Sequence, residues 1–494
     1  MPKLLYIILI IISSIGVLWV FSFGLNGIRF SHRQRQDIPI GRRSRNDQIS
    51  LASQSDTKNA ENYKDLDPGN TSGLHKGDPS KLRNILVKAL RGEPIRVVII
   101  GGSNSAGGGM DKNTHKMNKR YFRLFVDWWN NIVAAQTGSQ MSEDLIAIGG
   151  TGSYFFAYCY DTFLANPKQI DIAIVEAAVN YNTAGKAEPL EQLTRVLYNH
   201  PSQPAIWYVN LVSRLGKDPK TKKVMNPECV NLEDFGLYDV AAQYGVTSFS
   251  MKDFVCPTVD GKPRFDESQK GYVSTDQHHV GEKTHAQIAF LMTNYVKSVL
   301  DDVTKQGANM AQSYPTKALS LFVKEETKLL VNPQCWSSIT PYSETGINKP
   351  TLSVKVLTKT RFKFYANGYE GNPKQSPRKD RQSGWANTAS GGRVVFQINV
   401  KPWNSATDKR RSVIALIHNV YNGGDAKIWV DNSESDAINI VNKAQPGGSN
   451  ELYTIADRVE PGIHTLSIVT KGKGMFIISG ILVGPPEFSR RKVT

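Results

Sequence analysis

Beyond the N-terminal 79 residues, the hydrophobic periodicity of this 494-residue chain changes near residue 306. Before that point, apolar segments with helical spacing alternate with short β-branched runs. Beyond it, short stretches of alternating apolar and polar residues are separated by clusters of Gly, Asn, Asp and Pro. The first pattern is typical of an α/β domain with a parallel sheet, and the second is typical of an antiparallel β-sandwich.

Both patterns also predict individual elements. Helices are expected over Pro79–Leu90, Tyr121–Ala135 and Lys283–Leu300, because apolar residues recur there on one helical face. The expected strands are Ile95–Ile100, Ile170–Ala178 and Ala205–Val212 and, in the second part, Leu352–Leu357, Arg393–Val400, Val413–His418, Ala426–Val430, His464–Val469 and Phe476–Leu482.

The N-terminal segment Leu4–Leu25 contains no charged residue. As a helix it is long enough to cross a hydrocarbon core of about 30 Å. A cleaved signal peptide would also place an apolar run after Lys3, but no Ala-x-Ala-like site ends this one. We therefore expect residues 1–30 to be an uncleaved transmembrane anchor, with the membrane as a partner, and residues 31–79 to be a polar linker.

The orientation of this predicted anchor is ambiguous in the sequence. Six arginines follow the apolar segment between Arg29 and Arg45, and the positive-inside rule would then leave the body in the cytoplasm. Asn70-Thr71-Ser72 is a possible N-glycosylation acceptor, which favours a lumenal body. We expect a single-pass type II protein whose body is lumenal or extracellular.

The formal charge of +16 raises the question of nucleic-acid binding. Lys and Arg are spread along the chain, without zinc-finger spacing, a basic helix with heptads or an aromatic RNA-binding signature, so no nucleic-acid partner is expected. Anionic glycans or lipid headgroups fit the charge better. The four cysteines lack a Cys-x-x-Cys pair; they are free core thiols or, in an oxidising lumen, Cys229 and Cys256 close a loop.

A glycine-rich turn, Gly101–Gly109, follows the first predicted strand and contains two serines. Ser103 would lie at the carboxyl edge of the sheet, where a nucleophile is exposed and glycine amides can approach a developing oxyanion. Ser105 competes for the same role. The turn does not fit nucleotide binding, because Gly-x-Gly-x-x-Gly spacing fails at Ser103 and no Gly-Lys-Ser/Thr follows.

A second cluster of reactive side chains precedes the last predicted helix of the α/β part. Asp276 stands three residues before His279, a spacing that lets a carboxylate orient an imidazole toward a serine. Asp276 could instead cap the helix. A metal site could be built from His278, His279, Glu282 and His285, but His-Glu-x-x-His is absent, so neither a metal nor another cofactor is expected.

Four blocks in this order resemble the SGNH (GDSL-like) hydrolase family. They are the Gly-Gly-Ser at Ser103, the segment Ile148–Ser153, the segment Val175–Tyr181 and the Asp276-x-x-His279 block. Departures from the family pattern include Gly102 where Asp is usual, Val280 where Pro is common and Tyr181 where Asp is usual.

The resemblance implies a flavodoxin-like three-layer αβα hydrolase domain over residues 80–305. It implies Ser103 as nucleophile, His279 as general base and Asp276 as the residue that orients His279. The oxyanion hole would be formed by the Ser103 amide, the Gly150 amide and the side chain of Asn180. The implied activity is hydrolysis of carboxylic esters.

Residues 306–490 resemble, more loosely, the jelly-roll modules attached to carbohydrate-active enzymes. The combined expectation is a membrane-anchored serine esterase acting on O-acyl groups of carbohydrate or on another small ester. One alternative is an O-acyltransferase that uses the same triad, since only water exclusion and an acceptor separate transfer from hydrolysis. Another is a non-catalytic glycan-binding surface protein.

Overall fold

The structure of the chain is a computed structural model. It describes residues 71–110, 118–180, 187–218, 220–268, 271–306, 321–322, 333–341, 352–366, 383–403, 407, 409–441, 450–472 and 474–484, all within one compact unit. No helix among these residues is both long and apolar enough to cross a membrane. The predicted anchor at residues 1–30, the linker up to residue 70 and the glycosylation acceptor Asn70 lie outside the described residues.

The first region, here called the α/β region, combines strands and helices. Its strands are β1 (Leu74–His75), β2 (Ile95–Gly101), β3 (Met141–Ala147), β4 (Ile172–Glu176), β5 (Ala205–Asn210), β6 (Thr247–Ser250), β7 (Thr258–Val259) and β8 (Lys262–Pro263). Its α-helices are α1 (Ser80–Leu90), α2 (Tyr121–Trp128, extended by a π-helical turn and by Ala134–Thr137), α3 (Ser153–Cys159), α4 (Glu188–Tyr198), α5 (Leu237–Tyr244), α6 (Lys252–Val255) and α7 (Glu282–Gln306). Two short 3₁₀ helices, Tyr160–Phe163 and Leu232–Phe235, complete it.

The main sheet of this region has the strand order β1-β6-β5-β4-β2-β3. Strands β2 to β6 are parallel, and their order is that of flavodoxin-like sheets, which bind ligands beyond the carboxyl ends of the strands. The α/β fold predicted from the sequence is therefore confirmed. β1, which the sequence pattern placed in the linker, pairs antiparallel with β6 at the sheet edge.

Helices cover both faces of the sheet, as two neighbouring residues of β5 illustrate. The Trp207 ring packs against Phe125 of α2 and Tyr295 of α7, with centroid distances of 5.6 and 6.0 Å. The next side chain, Tyr208, points the other way and its hydroxyl lies 2.5 Å from Thr194 Oγ1 of α4. Because successive strand residues alternate between faces, α2 and α7 form one outer layer and α4 belongs to the other.

The second region, here called the β region, consists of antiparallel strands. They are β9 (Gln334–Ser337), β10 (Lys355–Thr360), β11 (Lys363–Tyr365), β12 (Gly384–Asn387), β13 (Arg393–Val400), β14 (Ser412–Asn422), β15 (Asp425–Val430), β16 (Ile438–Ile440), β17 (Asn450–Val459), β18 (Gly462–Lys471) and β19 (Met475–Gly484). One sheet has the order β10-β13-β18-β15-β16; the other has the order β11-β12-β19-β14-β17, with β9 also on β19. Buried residues of both sheets share one core, so the predicted sandwich is confirmed.

The two regions are joined by a common core and by a disulfide. Ile339, Val413, Ile417 and Leu482 of the β region belong to the same buried cluster as the aromatic residues of α3. Cys159, at the end of α3, is bonded to Cys335 of β9. The Tyr154 hydroxyl also donates a 2.7 Å hydrogen bond to the carbonyl oxygen of Asn450.

The second disulfide joins Cys229 and Cys256, the pair that the sequence offered for an oxidising compartment. All four cysteines are thus bonded, and the free-thiol interpretation is wrong. The pairing of Cys159 with Cys335 had no signal in the sequence, because the two residues are 176 positions apart and lie in different regions.

Candidate active site

The turn after β2 holds Ser103 at the carboxyl edge of the sheet. Backbone hydrogen bonds close it tightly: the Ala106 amide donates to the Gly102 carbonyl oxygen at 3.1 Å, and the Gly108 amide donates to that of Ser103 at 2.6 Å. Gly107 and Gly109 adopt φ values of +86° and +77°, which only glycine tolerates readily. We call residues 101–109, which contain the predicted nucleophile Ser103, the nucleophile loop.

The two serines of this loop have different environments. Ser103 is partly exposed, whereas Ser105 is fully buried. The Ser105 hydroxyl lies 2.8 Å from the Tyr121 hydroxyl and donates to Glu176 Oε2 at 3.1 Å. Ser105 is therefore a structural residue of the loop, and Ser103 is the hydroxyl that a substrate can reach.

Asp276 and His279 form a hydrogen-bonded pair ahead of α7. Asp276 Oδ2 lies 2.6 Å from His279 Nδ1, which leaves Nε2 as the outward nitrogen of the ring. Asp276 Oδ1 accepts from the Ser274 hydroxyl and from the backbone amides of His278 and His279, both at 2.9 Å. Burial raises the pKa of Asp276, but the hydrogen bonds from Ser274 and His279 outweigh it and hold that pKa well below its usual range. The carboxylate stays ionised and fixes the ring.

The imidazole lies against the nucleophile loop. A Cβ atom on Gly108 would be 2.6 Å from His279 Nε2 and 2.8 Å from the carbonyl oxygen of Ser103. The missing side chain thus lets the ring approach the loop at Gly108, whose amide donates to the carbonyl oxygen of Ser103. The Ser103 hydroxyl makes no hydrogen bond to a described residue, and such catalytic contacts are often long before substrate binds.

Asn180 follows β4 and points at the same loop. A Cβ atom on Gly102 would be 1.7 Å from Asn180 Nδ2, so the amide group occupies the space that glycine leaves. Nδ2 is buried and has no hydrogen-bond partner among the described residues. A buried donor without an acceptor is costly, and an oxyanion formed at Ser103 would satisfy it.

The predicted oxyanion glycine also lies at this edge. Gly150 follows β3 with φ of +68°, and the Ile148 amide donates to the Gly101 carbonyl oxygen at 2.9 Å, which ties its segment to the end of β2. A Cβ atom on Gly152 would lie 2.5 Å from the carbonyl oxygen of Asn180. The structure therefore brings the segments of Ser103, Gly150, Asn180, Asp276 and His279 to one edge.

The residues considered for a metal site have separate environments in the structure. His285 is fully buried, and its Nδ1 accepts a 3.3 Å hydrogen bond from the Tyr121 amide. Burial, with further contributions from Arg120 and His279, lowers the pKa of His285 to about 3. Glu282 pairs with Lys119 at 3.2 Å on the surface. Among the described residues, no group of three or more His, Cys, Asp or Glu side chains is arranged to hold a metal ion.

Three further residues of the site could not be assigned a role from the sequence. Asn104 accepts a hydrogen bond from the Val280 amide, Ser274 supports Asp276, and Glu176 accepts three hydrogen bonds from the nucleophile loop. Glu176 is visible in the sequence only as a charge that ends the apolar strand β4.

Comparison with solved structures bears on the fold. Two crystal structures of a two-domain esterase active on acetylated mannans, one with mannopentaose, match with a TM-score of 0.58 and 18% identity, over 84% of this chain and 98% of theirs. The chain shares the fold of this two-domain esterase. Because the match covers almost the whole solved chain, it includes both the α/β region and the β region.

Other comparisons contribute less. A psychrotrophic esterase, EstA from Pseudoalteromonas, aligns with a TM-score of 0.29 and 15% identity, over 42% of this chain and 98% of its own, which is too low to support a conclusion. No protein-family model matches the sequence. No curated protein matches it either.

Proposed function

We propose that this chain is a membrane-anchored serine esterase that hydrolyses O-acyl groups on carbohydrate, with Ser103 as nucleophile, His279 as general base and Asp276 as its orienting partner. The observation that carries the proposal is the Asp276–His279 pair, whose outward Nε2 lies against Gly108 of the loop that holds Ser103. A partly exposed hydroxyl, an oriented imidazole and an unpartnered amide donor are what acyl transfer requires.

The mechanism follows from these positions. His279 Nε2 takes the proton of the Ser103 hydroxyl as its oxygen attacks the ester carbonyl carbon. The tetrahedral oxyanion accepts hydrogen bonds from Asn180 Nδ2 and from the amides of Gly150 and Ser103. Asp276 stabilises the imidazolium, which then gives its proton to the leaving alcohol. Water, deprotonated by His279, attacks the acyl-enzyme and releases the acid.

The substrate class and the location are parts of the same proposal. The esterase of similar fold is active on acetylated mannans, which supports an acylated polysaccharide as the substrate. The jelly-roll-like β region of this chain would add binding surface for the glycan. Two disulfides support an oxidising compartment, and with the apolar segment Leu4–Leu25 they favour a type II protein whose catalytic part is lumenal or extracellular.

The test uses the full chain, a chromogenic acetate ester, acetylated polysaccharides and a fluorophosphonate probe. We expect turnover and probe labelling in the wild type and neither in Ser103→Ala, with His279→Ala inactive but folded. Peptide mapping should place the adduct on Ser103, and Ser105→Ala should still be labelled. Normal turnover by Ser103→Ala would refute the assignment, and hydrolysis of the chromogenic ester without acetate release from any glycan would refute the substrate class.

A further inference from the structure

The last residue of β4, Glu176, is a carboxyl group buried directly beneath the nucleophile loop. Its side chain is 1% exposed, and it follows four buried apolar residues of the same strand. Its Cα pairs in register with that of Gly101, the last residue of the neighbouring strand β2. The carboxyl group therefore lies where the loop that carries Ser103 leaves the sheet.

One oxygen of this carboxyl group accepts three hydrogen bonds from the loop. Glu176 Oε2 lies 2.9 Å from the Gly102 amide, 3.1 Å from the Ser105 hydroxyl and 3.4 Å from the Ser105 amide. The donors come from the residue before Ser103 and from the second residue after it. A single acceptor thus fixes the backbone on both sides of the nucleophile.

The glycines at the start of the loop make this approach possible. A Cβ atom on Gly101 would lie 2.4 Å from Ser105 Oγ and 3.2 Å from Glu176 Cβ. A Cβ atom on Gly102 would lie 3.6 Å from Glu176 Oε2, on the same side as the Asn180 amide. The Gly-Gly pair therefore accommodates the carboxyl group and the oxyanion donor together.

Burying a carboxyl group here is expensive without compensation. Glu176 has no ion-pair partner among the described residues, and its Oε1 has no hydrogen-bond partner among them. Burial raises the pKa of Glu176 to about 7, while the hydrogen bonds from Gly102 and Ser105 act in the opposite direction. If Glu176 had no role in the loop, the protein would be more stable with an apolar residue of similar volume at this position.

On these contacts we propose that Glu176 is a positioning residue of the proposed esterase, which holds the nucleophile loop in its reactive geometry when it is ionised. The inference rests on the proposed function, because positioning has meaning only if Ser103 is the nucleophile. Ionised Glu176 accepts all three donors. Protonated Glu176 accepts them more weakly and carries a proton for which the described residues offer no acceptor.

Two other titratable groups pack near Glu176, and neither changes its charge near neutral pH. Tyr121 of α2 touches Ser105, and burial followed by the charge of Glu176 raises its pKa far above its usual value. His285 of α7 stacks on Tyr121 and stays neutral, because its pKa is lowered to about 3. Arg120, buried just before α2, influences the pKa values of both Tyr121 and His285. Of the groups named here, Glu176 is thus the one whose charge changes near neutral pH.

The test compares Glu176→Leu and Glu176→Gln with the wild type, using the full chain and the chromogenic acetate ester. Glu176→Leu removes the acceptor, and we expect kcat to fall about 100-fold with little change in KM, because the nucleophile is misplaced. Glu176→Gln keeps one oxygen acceptor but is neutral like the protonated acid, so its kcat should lie between those of Glu176→Leu and the wild type. Because Gln cannot ionise, kcat/KM of Glu176→Gln should fall less steeply with decreasing pH than kcat/KM of the wild type. This decrease toward low pH is the acid limb of the pH profile.

Glu191 offers a matched control. It is also a fully buried carboxyl group, but it accepts from Tyr244 and from the amides of Leu321 and Phe322, away from the loop. Glu191→Gln should lower stability without changing kcat or the pH profile. Wild-type kcat in Glu176→Leu, or an unchanged acid limb in Glu176→Gln, would overturn the proposal. Loss of probe labelling in the wild type itself would instead contradict the esterase function.

Discussion

The side-chain oxygen of Asn104 accepts a 3.0 Å hydrogen bond from the backbone amide of Val280. Asn104 directly follows Ser103, and Val280 directly follows His279, although 176 positions separate the bonded pair. The Asn104 side chain is 1% exposed, so water does not replace the bond when it breaks. The nucleophile loop and the segment from Ser274 to Val280 are therefore held in register by a contact between the immediate neighbours of Ser103 and His279.

Substitution of Asn104 by Ala should impair catalysis more than binding. The buried Val280 amide loses its acceptor, at a cost of about 1–3 kcal/mol in unfolding free energy. Because the two loops then move independently, we expect kcat for an acetate ester to fall by about tenfold or more, and the fluorophosphonate labelling rate to fall with it.

Asn130→Ala is the control for this change. The Asn130 side chain also bridges to backbone, to the amide and carbonyl of Met141, but at the start of β3, at the opposite end of the sheet. We expect it to lower stability and leave kcat unchanged. If both variants lost activity in proportion to their loss of stability, the register role of Asn104 would be wrong.

Replacing Asp276 by Asn should reveal the orienting role of the carboxylate. The amide can donate to His279 Nδ1 and favour the wrong tautomer, so we expect kcat to fall by about three to four orders of magnitude. Steady-state kinetics and probe labelling measure the effect. Retention of a tenth or more of wild-type kcat would show that His279 does not depend on Asp276.

The same variant makes a prediction about pH and stability. The pKa of Asp276 is lower in the folded chain than its unfolded value of about 3.9, so its stabilisation is complete above that value and disappears as pH falls toward the folded pKa. The difference in unfolding free energy between wild type and Asp276→Asn should therefore narrow on acidification below about pH 5. Urea titrations at several pH values measure it, and a difference independent of pH would contradict the ionised hydrogen-bonded carboxylate.

Gly102→Ala should displace the oxyanion donor. The new Cβ would lie 1.7 Å from Asn180 Nδ2, which must move. Loss of one such donor costs about 100-fold in kcat, and KM should change little. Gly138→Ala is a useful comparison, since its Cβ meets no atom within 4 Å but its φ of +81° is unfavourable for alanine. It should reduce thermal stability and leave kcat intact.

Removal of the Cys159–Cys335 disulfide, which joins the two regions, should lower the free energy of unfolding more than removal of the Cys229–Cys256 disulfide. The Cys159–Cys335 bond closes a loop of 176 residues, against 27 for Cys229–Cys256. Chain entropy then predicts that a Cys159→Ser/Cys335→Ser variant loses about 1–2 kcal/mol more unfolding free energy than the matched Cys229→Ser/Cys256→Ser variant. Denaturant titration of both double variants measures the difference. The opposite ranking would mean that core contacts, rather than loop closure, dominate.

Hydrophobic periodicity predicted a strand and a helix whose apolar residues recur regularly over at least eight residues. The predicted strand Arg393–Val400 coincides with β13, and the predicted helix Lys283–Leu300 lies within α7. The short strands β9, β11, β12 and β16 were not predicted, because three or four residues are too few to display an alternation. The longer strands β3 and β17 were also missed, because burial does not alternate regularly along them. The position of the short strands is set by pairing with longer strands such as β19 and β15.

The site residues could be predicted from the sequence only where they belong to a recognisable motif. Ser103, Asp276 and His279 stand in recognisable blocks, and the chain brings these blocks to one sheet edge. Asn104 and Glu176 act through contacts between segments that are distant in sequence, and neither residue type has a periodicity that signals such a contact. The alternative nucleophile Ser105 could be set aside only by its burial.

The aromatic helix α3 begins just after the Gly150–Gly152 segment, and its buried cluster continues into Val413, Ile417 and Leu482 of the β region. A fragment that stopped at the end of α7 would leave this apolar surface in water and Cys159 without its partner, a condition that favours aggregation. The α/β region is consequently not a separable unit to which the β region has merely been appended. Truncation, domain exchange or expression of either half alone would remove part of the interior of the other.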